Sequence, residues 1–424
     1  MVVLRTREQS GGATRPRAGR IRRAARMTGI VFAVTLALLS MSYGRALLAP
    51  GYATWTDKTS SWIRDNGGGR LLDACENWRY AAPPSDSQPD LHQYVAPVAI
   101  PGGSDTTAIH LAVLPSVPGQ SAPVWTSGRA DVHGVTRSYT SVFQPDPEHR
   151  SVVAGVAIVA YAAVSAHLVP GTSQPGGDAP GDAHVPATDI PSLVAVFNSG
   201  FKMNDIDGGF YLDGTAYRPL RDGQADGVFY LDGTAYRPLR DGQASAVVDS
   251  AGHLRVEQWG RDDAMGPSIS AVRQNLALIV DHGAAVEGLD VNSDNRWGSA
   301  QNQLQYTQRS ALGTTASGDL IYIAGGAMNL STLARALVDA GAVTGMELDI
   351  HSGMTMFSSW VPDMSGVLAP TTLIPDIQQD PNRYLAPDRR DFFYITLSEP
   401  TPQQSSVFSP SVSSITTAAK FDGS

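Results

Sequence analysis

The chain has 424 residues, 42% of them hydrophobic and 17% charged, enough apolar material for a sizeable core, which excludes wholesale disorder and a collagen-like fibre. Its 28 prolines and 42 glycines favour many turns and short strands over a helical bundle. Eight arginines and one acid occupy residues 1–26, so residues 27–424 carry 23 basic against 39 acidic side chains, a net of −16; a body this acidic repels a phosphate backbone, and no nucleic-acid partner is expected.

The basic arm, residues 1–26, precedes an uncharged stretch from Met27 to Gly44 with a dense apolar centre, Ile30 to Leu39. Its 18 residues sit at the short end of what crosses a bilayer as a helix. The arginines on its N-terminal side place that end in the cytoplasm. Residues 27–44 therefore read as an uncleaved signal anchor, giving a single-pass protein of the cell membrane with its main domain extracellular. The alternative is a cleaved signal peptide and a secreted protein, but Ala46-Leu-Leu-Ala-Pro50 offers no convincing small-x-small cleavage site.

Residues 45–100 read as stalk and linker. Trp55, Trp62 and Ile63 fall at helical spacing, and Gly67-Gly-Gly69 is expected to stop that helix; residues 81–101 are rich in Pro, Ser and Asp. Residues 101–397 read as one α/β (α+β) domain, a β-rich mixed sheet with a βαβ unit. Strand candidates are Ser151–Val159, Leu193–Phe197, Ser245–Val248, Leu276–Val280, Leu320–Ile323 and Phe392–Thr396, and residues 170–186 form a surface loop. The βαβ unit runs from Leu320–Ile323 through an amphipathic helix with Leu330, Leu333, Ala334, Leu337 and Val338 on one face. Ser331 is its expected N-cap and Gly341 its stop, before a strand from Val343 to Ile350 parallel to the first.

Asp207–Ala225 recurs as Asp226–Ala244 with one difference, Gly209 against Val228. Each copy carries Phe-Tyr-Leu-Asp-Gly-Thr-Ala-Tyr, two strand arms about an Asp-Gly turn. A lone duplication does not make a solenoid; one hairpin is expected to be redundant, looped out or added to a sheet edge. The tail, residues 398–424, is Ser/Thr/Pro-rich and reads as disordered.

The single cysteine, Cys75, allows no intrachain disulfide and no thiolate cluster. GxSxG, HExxH, GxxxxGK[ST] and CxxC are absent. Three segments carry chemistry instead. In Phe197-Asn-Ser-Gly-Phe-Lys202, Asn198 could bond a substrate and Gly200 permits close backbone approach, though spacing alone fits a strand-to-loop cap better. In Gln308-Arg-Ser-Ala-Leu-Gly313, Arg309 presents a fork that matches phosphate oxygens; a structural salt bridge fits equally. In Glu347-Leu-Asp-Ile-His351, strand alternation puts Glu347, Asp349 and His351 on one face at a strand end. A neighbouring acid there can raise a carboxyl pKa enough for proton donation.

With these segments in this order, the chain resembles the phosphodiester glycosidase family, whose eukaryotic member is the lysosomal uncovering enzyme that removes N-acetylglucosamine from a sugar phosphodiester. The family pattern is matched by Asn198-Ser-Gly-Phe201, Arg309-Ser-Ala-Leu-Gly313 and Leu348-Asp349, over roughly residues 190–397. Gly208–Tyr211, Tyr217–Leu220, Trp259–Asp262, Arg273–Leu276 and Met346–Ile350 resemble the actinobacterial, membrane-anchored branch. One departure stands out. Most members follow the aspartate with a glycine-rich run, whereas here Ile350 and His351 carry Cβ atoms.

The resemblance implies a hydrolase of glycosyl phosphodiesters in envelope or exopolysaccharide glycans. Asp349 would act as acid/base, Arg309 would clamp the phosphodiester, and Asn198 would orient the sugar or phosphate. Gly200, Phe201, Glu347, His351, Arg273 and Asn275 would contact substrate. Asp349 and Glu347 offer oxygen ligands to a divalent cation, without establishing one. The competing reading is a non-catalytic glycan-binding envelope protein that kept the fold and lost the glycine-rich loop.

Overall fold

The computed structural model describes residues 17–49, 54–94, 109–117, 122–176, 181–203, 205–216, 229–231, 234–236, 239–351, 353–363, 365–377 and 379–398. The expected disordered tail lies almost wholly outside them. The first element is a 31-residue helix, α1 (Arg17–Leu47). Its segment Arg26–Leu47 has a mean hydropathy of 1.6, and no residue of its apolar window is buried in the rest of the chain, so it is long and apolar enough to cross a bilayer.

A second helix, α2 (Trp55–Ile63), starts at a reciprocal cap: Thr54 Oγ1 accepts from the Asp57 amide and Asp57 accepts from the Thr54 amide. The glycine run interrupts the helix as expected, but another helix starts directly after it. Gly67 adopts φ +82°, a value open to a residue without Cβ, and kinks the chain at Arg64–Gly68. Helical structure then resumes as α3 (Gly69–Arg79). The two helices form a bent pair, folded back on the domain by ion pairs described below.

The rest is β-rich, built from antiparallel sheets. The largest has eight strands in the spatial order Thr126–Ser127, Ser138–Phe143, Ala154–Val159, Leu320–Met328, Thr307–Thr315, Ala342–Ile350, Leu278–Asp281 and Ala284–Ala285. Its central members are apolar runs buried on both faces, as in Ala154–Val159. A five-residue helix, α4 (Ala300–Leu304), precedes the Thr307–Thr315 strand. The expected βαβ helix is α5 (Leu330–Asp339), with Leu330, Leu333, Ala334 and Leu337 buried. Both strands it joins pair antiparallel with Thr307–Thr315, so they run parallel to each other with that strand between them. The N-cap is Asn329 rather than Ser331: its side chain accepts from the Thr332 amide, and Ser331 already lies in the first turn.

Two five-stranded sheets complete the core. One contains Leu193–Asn198 between Phe357–Pro362 and Phe392–Leu397. The other contains Ile269–Gln274 beside the first hairpin copy, Phe210–Leu212 and Thr215–Ala216, which extends its edge. The second copy, Phe229–Leu231 and Thr234–Tyr236, pairs only with itself among the described residues. Every strand candidate named from sequence coincides with an observed strand to within a few residues at its ends.

A cleft at the end of the Ala342–Ile350 strand

The Ala342–Ile350 strand delivers Asp349 and His351 to a cleft of about 520 Å³, within the size range of small-ligand sites. Its floor includes Phe201 and Lys202, which follow the Leu193–Asn198 strand, and Arg390, which precedes Phe392–Leu397. The Asp349 amide donates to Ser199 O (3.1 Å), which stitches the two sheets together beneath the carboxylate. Gln303 and Trp297 close one side. The other wall is the α2–α3 pair, through Asp57, Arg64, Asp73 and Glu76.

That wall is held by charge and by fit. Asp65 takes Lys202 Nζ and Arg389 Nη2, each at 3.2 Å, and Arg64 joins Asp73 and Glu76. Asp57 presses on Gly353, where a Cβ would lie 1.9 Å from its Oδ1, so only glycine admits α2 at this distance.

Asp349 is buried. Its Oδ2 accepts from Arg390 Nη2 at 2.5 Å and its Oδ1 from the Ile350 amide at 3.0 Å. Burial pushes this carboxyl above the ordinary carboxylate range, while Arg390 and Lys202 oppose that rise. The cause is desolvation rather than the neighbouring acid expected from sequence. Arg390 Nη2 also donates to Gly200 O (2.9 Å), and its buried Nε has no partner.

His351 stands at φ +75°, the left-handed region that costs an L-residue roughly 1–2 kcal/mol. The backbone therefore takes a conformation suited to glycine although a histidine occupies it, and the side chain is turned into the cleft wall. Its Nδ1 lies 3.2 Å from Thr307 Oγ1 and its Nε2 3.5 Å from Glu76 Oε2. Burial, then the charges of Arg64 and Arg309, push its pKa down to about 3, so it is neutral at physiological pH. In the unfolded chain it protonates near pH 6.5. Below that value the unfolded state binds the extra proton, so stability falls with pH between about 6.5 and 3. With 21% of the side chain exposed, the loss by pH 5 is expected to be about 1–2 kcal/mol. Denaturant unfolding at pH 7 and pH 5 should show it, and His351→Asn should lose correspondingly less on acidification.

The other residues singled out from sequence lie behind the cleft. Asn198 is buried and fully engaged: Nδ2 donates to Ser199 O and Ser310 Oγ, and Oδ1 accepts from Tyr322 OH and the Met356 amide. It is the strand-to-loop cap that spacing favoured. Arg309 is fully buried and likewise spent. It donates to Met328 O (2.8 Å), Gln303 Oε1 (2.8 Å), Gln303 O (3.0 Å), Gln305 O (3.1 Å) and the Glu347 carboxylate. The clamp expected of it is replaced by the structural salt bridge. Glu347, beneath the floor, is pushed up to about 7 by burial despite Arg309.

Arg273 is buried between Asp391, Phe201 O and Gln274 O. Asn275 donates to Glu347 O and accepts from the Phe201 amide. A Cβ on Gly200 would meet the Asn275 side chain at 2.9 Å. Asp349, His351 and Phe201 thus line the cleft, and the other six form the frame that holds them. Arg390, Lys202, Gln303 and the α2–α3 wall were not anticipated. Arg390 sits in Asp388-Arg-Arg-Asp391, a charge cluster that reads as surface until folding buries part of it. Among the described residues no group of three or more His, Cys, Asp or Glu side chains is arranged to hold a metal ion.

Residues 202–360 match the phosphodiester glycosidase family. No curated protein matches the chain. Similar solved structures include the catalytic domain of zebrafish N-acetylglucosamine-1-phosphodiester alpha-N-acetylglucosaminidase, auto-inhibited by its pro-peptide, at 16% identity and a TM-score of 0.36, covering 68% of this chain and 91% of that one. A hypothetical protein from Synechocystis aligns at 13% identity and a TM-score of 0.35, covering 65% of this chain and 64% of that one.

Proposed function

We propose, on the premise that residues 202–360 match the phosphodiester glycosidase family, that the chain is a membrane-anchored hydrolase of glycosyl phosphodiesters in envelope or exopolysaccharide glycans. The observation that carries the reading is the buried Asp349 carboxyl set between Arg390 and Lys202 in an open cleft. A phosphodiester brings a negative charge that two cations can hold.

In the reaction the bond between the sugar C1 and the bridging oxygen breaks, and its electron pair leaves with the phosphate. Positive charge builds at C1 and the ring oxygen. Water adds to C1 and gives up a proton. Asp349 acts as the acid/base group: it lines the cleft, and burial holds its carboxyl above the ordinary carboxylate range, which favours holding a proton. Phosphate departs with less protonation than an alcohol, so one carboxyl with the cations suffices. His351, neutral, contacts the sugar or orients water. The apolar segment Arg26–Leu47 and the arginines on its N-terminal side support the anchoring.

Full-length protein in detergent should release free sugar from a GlcNAc-1-phosphodiester. Saturable binding without turnover would overturn the enzyme reading in favour of a glycan-binding module. Arg390→Lys keeps the charge but loses the planar fork, so KM should rise by about tenfold. Arg390→Ala leaves the Asp349 carboxylate less stabilised, raising its pKa further; the limb of the pH–rate profile that reports this group should move to higher pH.

A further inference from the structure

Resting on the hydrolase reading, we infer that the substrate is borne by a lipid, and that the outer faces of α2 and α3 seat the cleft on the bilayer surface. The first observation is the position of α2. Trp62 Nε1 donates to Ser42 Oγ (3.0 Å), the Trp62 and Tyr43 rings lie 5.1 Å apart, and Tyr43 OH bonds Thr59 Oγ1 (2.9 Å). Lys58 Nζ reaches Leu47 O (3.2 Å) and Ala49 O (2.7 Å). Ser42 and Tyr43 belong to the apolar segment Arg26–Leu47 itself. A helix packed against its last turns therefore lies at the level where that segment leaves the hydrocarbon.

The second observation is what the wall shows to the outside. Its inner face, with Asp57, Arg64 and Glu76, lines the cleft. Away from the cleft lining, the pair exposes Trp55, Leu71 and Trp78, which are 70%, 71% and 86% exposed. Leu71 and Trp78 are seven apart on α3, so they share one helical face. Large exposed apolar groups beside a membrane-crossing helix have the composition of an interfacial belt, where tryptophan is enriched. Water is the worse solvent for this stripe, and the bilayer surface begins where α1 ends.

A cleft walled by α2 and α3 then opens beside the lipid headgroups. It suits a sugar phosphodiester whose second ester is a long-chain alcohol: the chain stays in the bilayer while the sugar-phosphate enters between Asp349 and Arg390. A water-soluble glycan would gain nothing from this placement.

The test uses the full chain in phosphatidylglycerol/phosphatidylcholine vesicles. Two substrates are compared, GlcNAc-1-phosphate esterified to a long-chain polyprenol and the same sugar phosphate as a methyl ester. The expected result is a KM for the lipid ester at least about tenfold below that for the methyl ester. The triple variant Trp55→Ser, Leu71→Ser, Trp78→Ser should remove that advantage and leave methyl-ester turnover unchanged. Equal KM values, or an advantage that survives the triple variant, would overturn the inference while leaving the hydrolase reading intact. No turnover of either ester would overturn the hydrolase reading and this inference with it.

Discussion

Asp349→Asn is expected to lower kcat on a sugar-1-phosphodiester by about 10²–10⁴-fold, the range over which a positioned acid/base group contributes. The substitution is close to isosteric, and its single oxygen can still accept from one of the two donors, the Ile350 amide that reaches Oδ1 or Arg390 that reaches Oδ2. The fold should therefore persist and KM should change little, because Arg390 and Lys202 remain to hold the phosphate. A thermal midpoint close to that of the parent protein, measured beside the kinetics, separates lost chemistry from lost structure. Full activity in the variant would mean that the proton is handled elsewhere, and the roles given to the cleft would have to be abandoned.

Arg309→Met is expected to act on stability, not on substrate affinity. The guanidinium is fully buried and holds three backbone carbonyls, Gln303 and Glu347. Its removal leaves a buried carboxylate unpaired, a change that costs about 3–5 kcal/mol where it has been measured in other proteins. Adding Glu347→Leu removes the stranded acid, so the double variant should be more stable than the sum of the two single losses allows. The loss should also depend on pH. Burial pushes Glu347 up to about 7 in the folded protein against about 4.3 when unfolded. Between these values the folded state binds more protons, so stability falls as pH rises. Without Arg309 the folded pKa rises further and the window widens, so the variant should be penalised less at pH 5 than at pH 8. Denaturant unfolding at the two pH values checks this. A variant of unchanged stability but weakened substrate binding would restore the phosphate-clamp role.

The difference between Arg309 and Arg390 shows where reading along the chain stops. Both are arginines near a strand terminus, and both pair with an acid of the same strand, Glu347 and Asp349. Spacing cannot tell the one that is walled in from the one that lines the cleft, because burial depends on what packs from other sheets. The same limit applies to Asn198, whose four hydrogen bonds reach residues from Ser199 to Met356.

Local regularities in the chain sufficed for the apolar anchor, the main strands, the face of α5 and the presence of Asp349 and His351 at a strand end, because each depends on the period of one element. Gly67 shows the boundary of such reasoning: a glycine run marks a break in a helix, but whether the chain kinks or stops is decided by what α3 packs on. Tertiary structure alone placed the Thr307–Thr315 strand inside the β-α-β crossover, brought Arg390 and Lys202 to Asp349, and turned the presumed stalk into a wall of the cleft. These outcomes rest on pairings between residues tens to hundreds of positions apart. Their free energy comes from desolvation and charge in the assembled protein, which no short stretch of sequence contains.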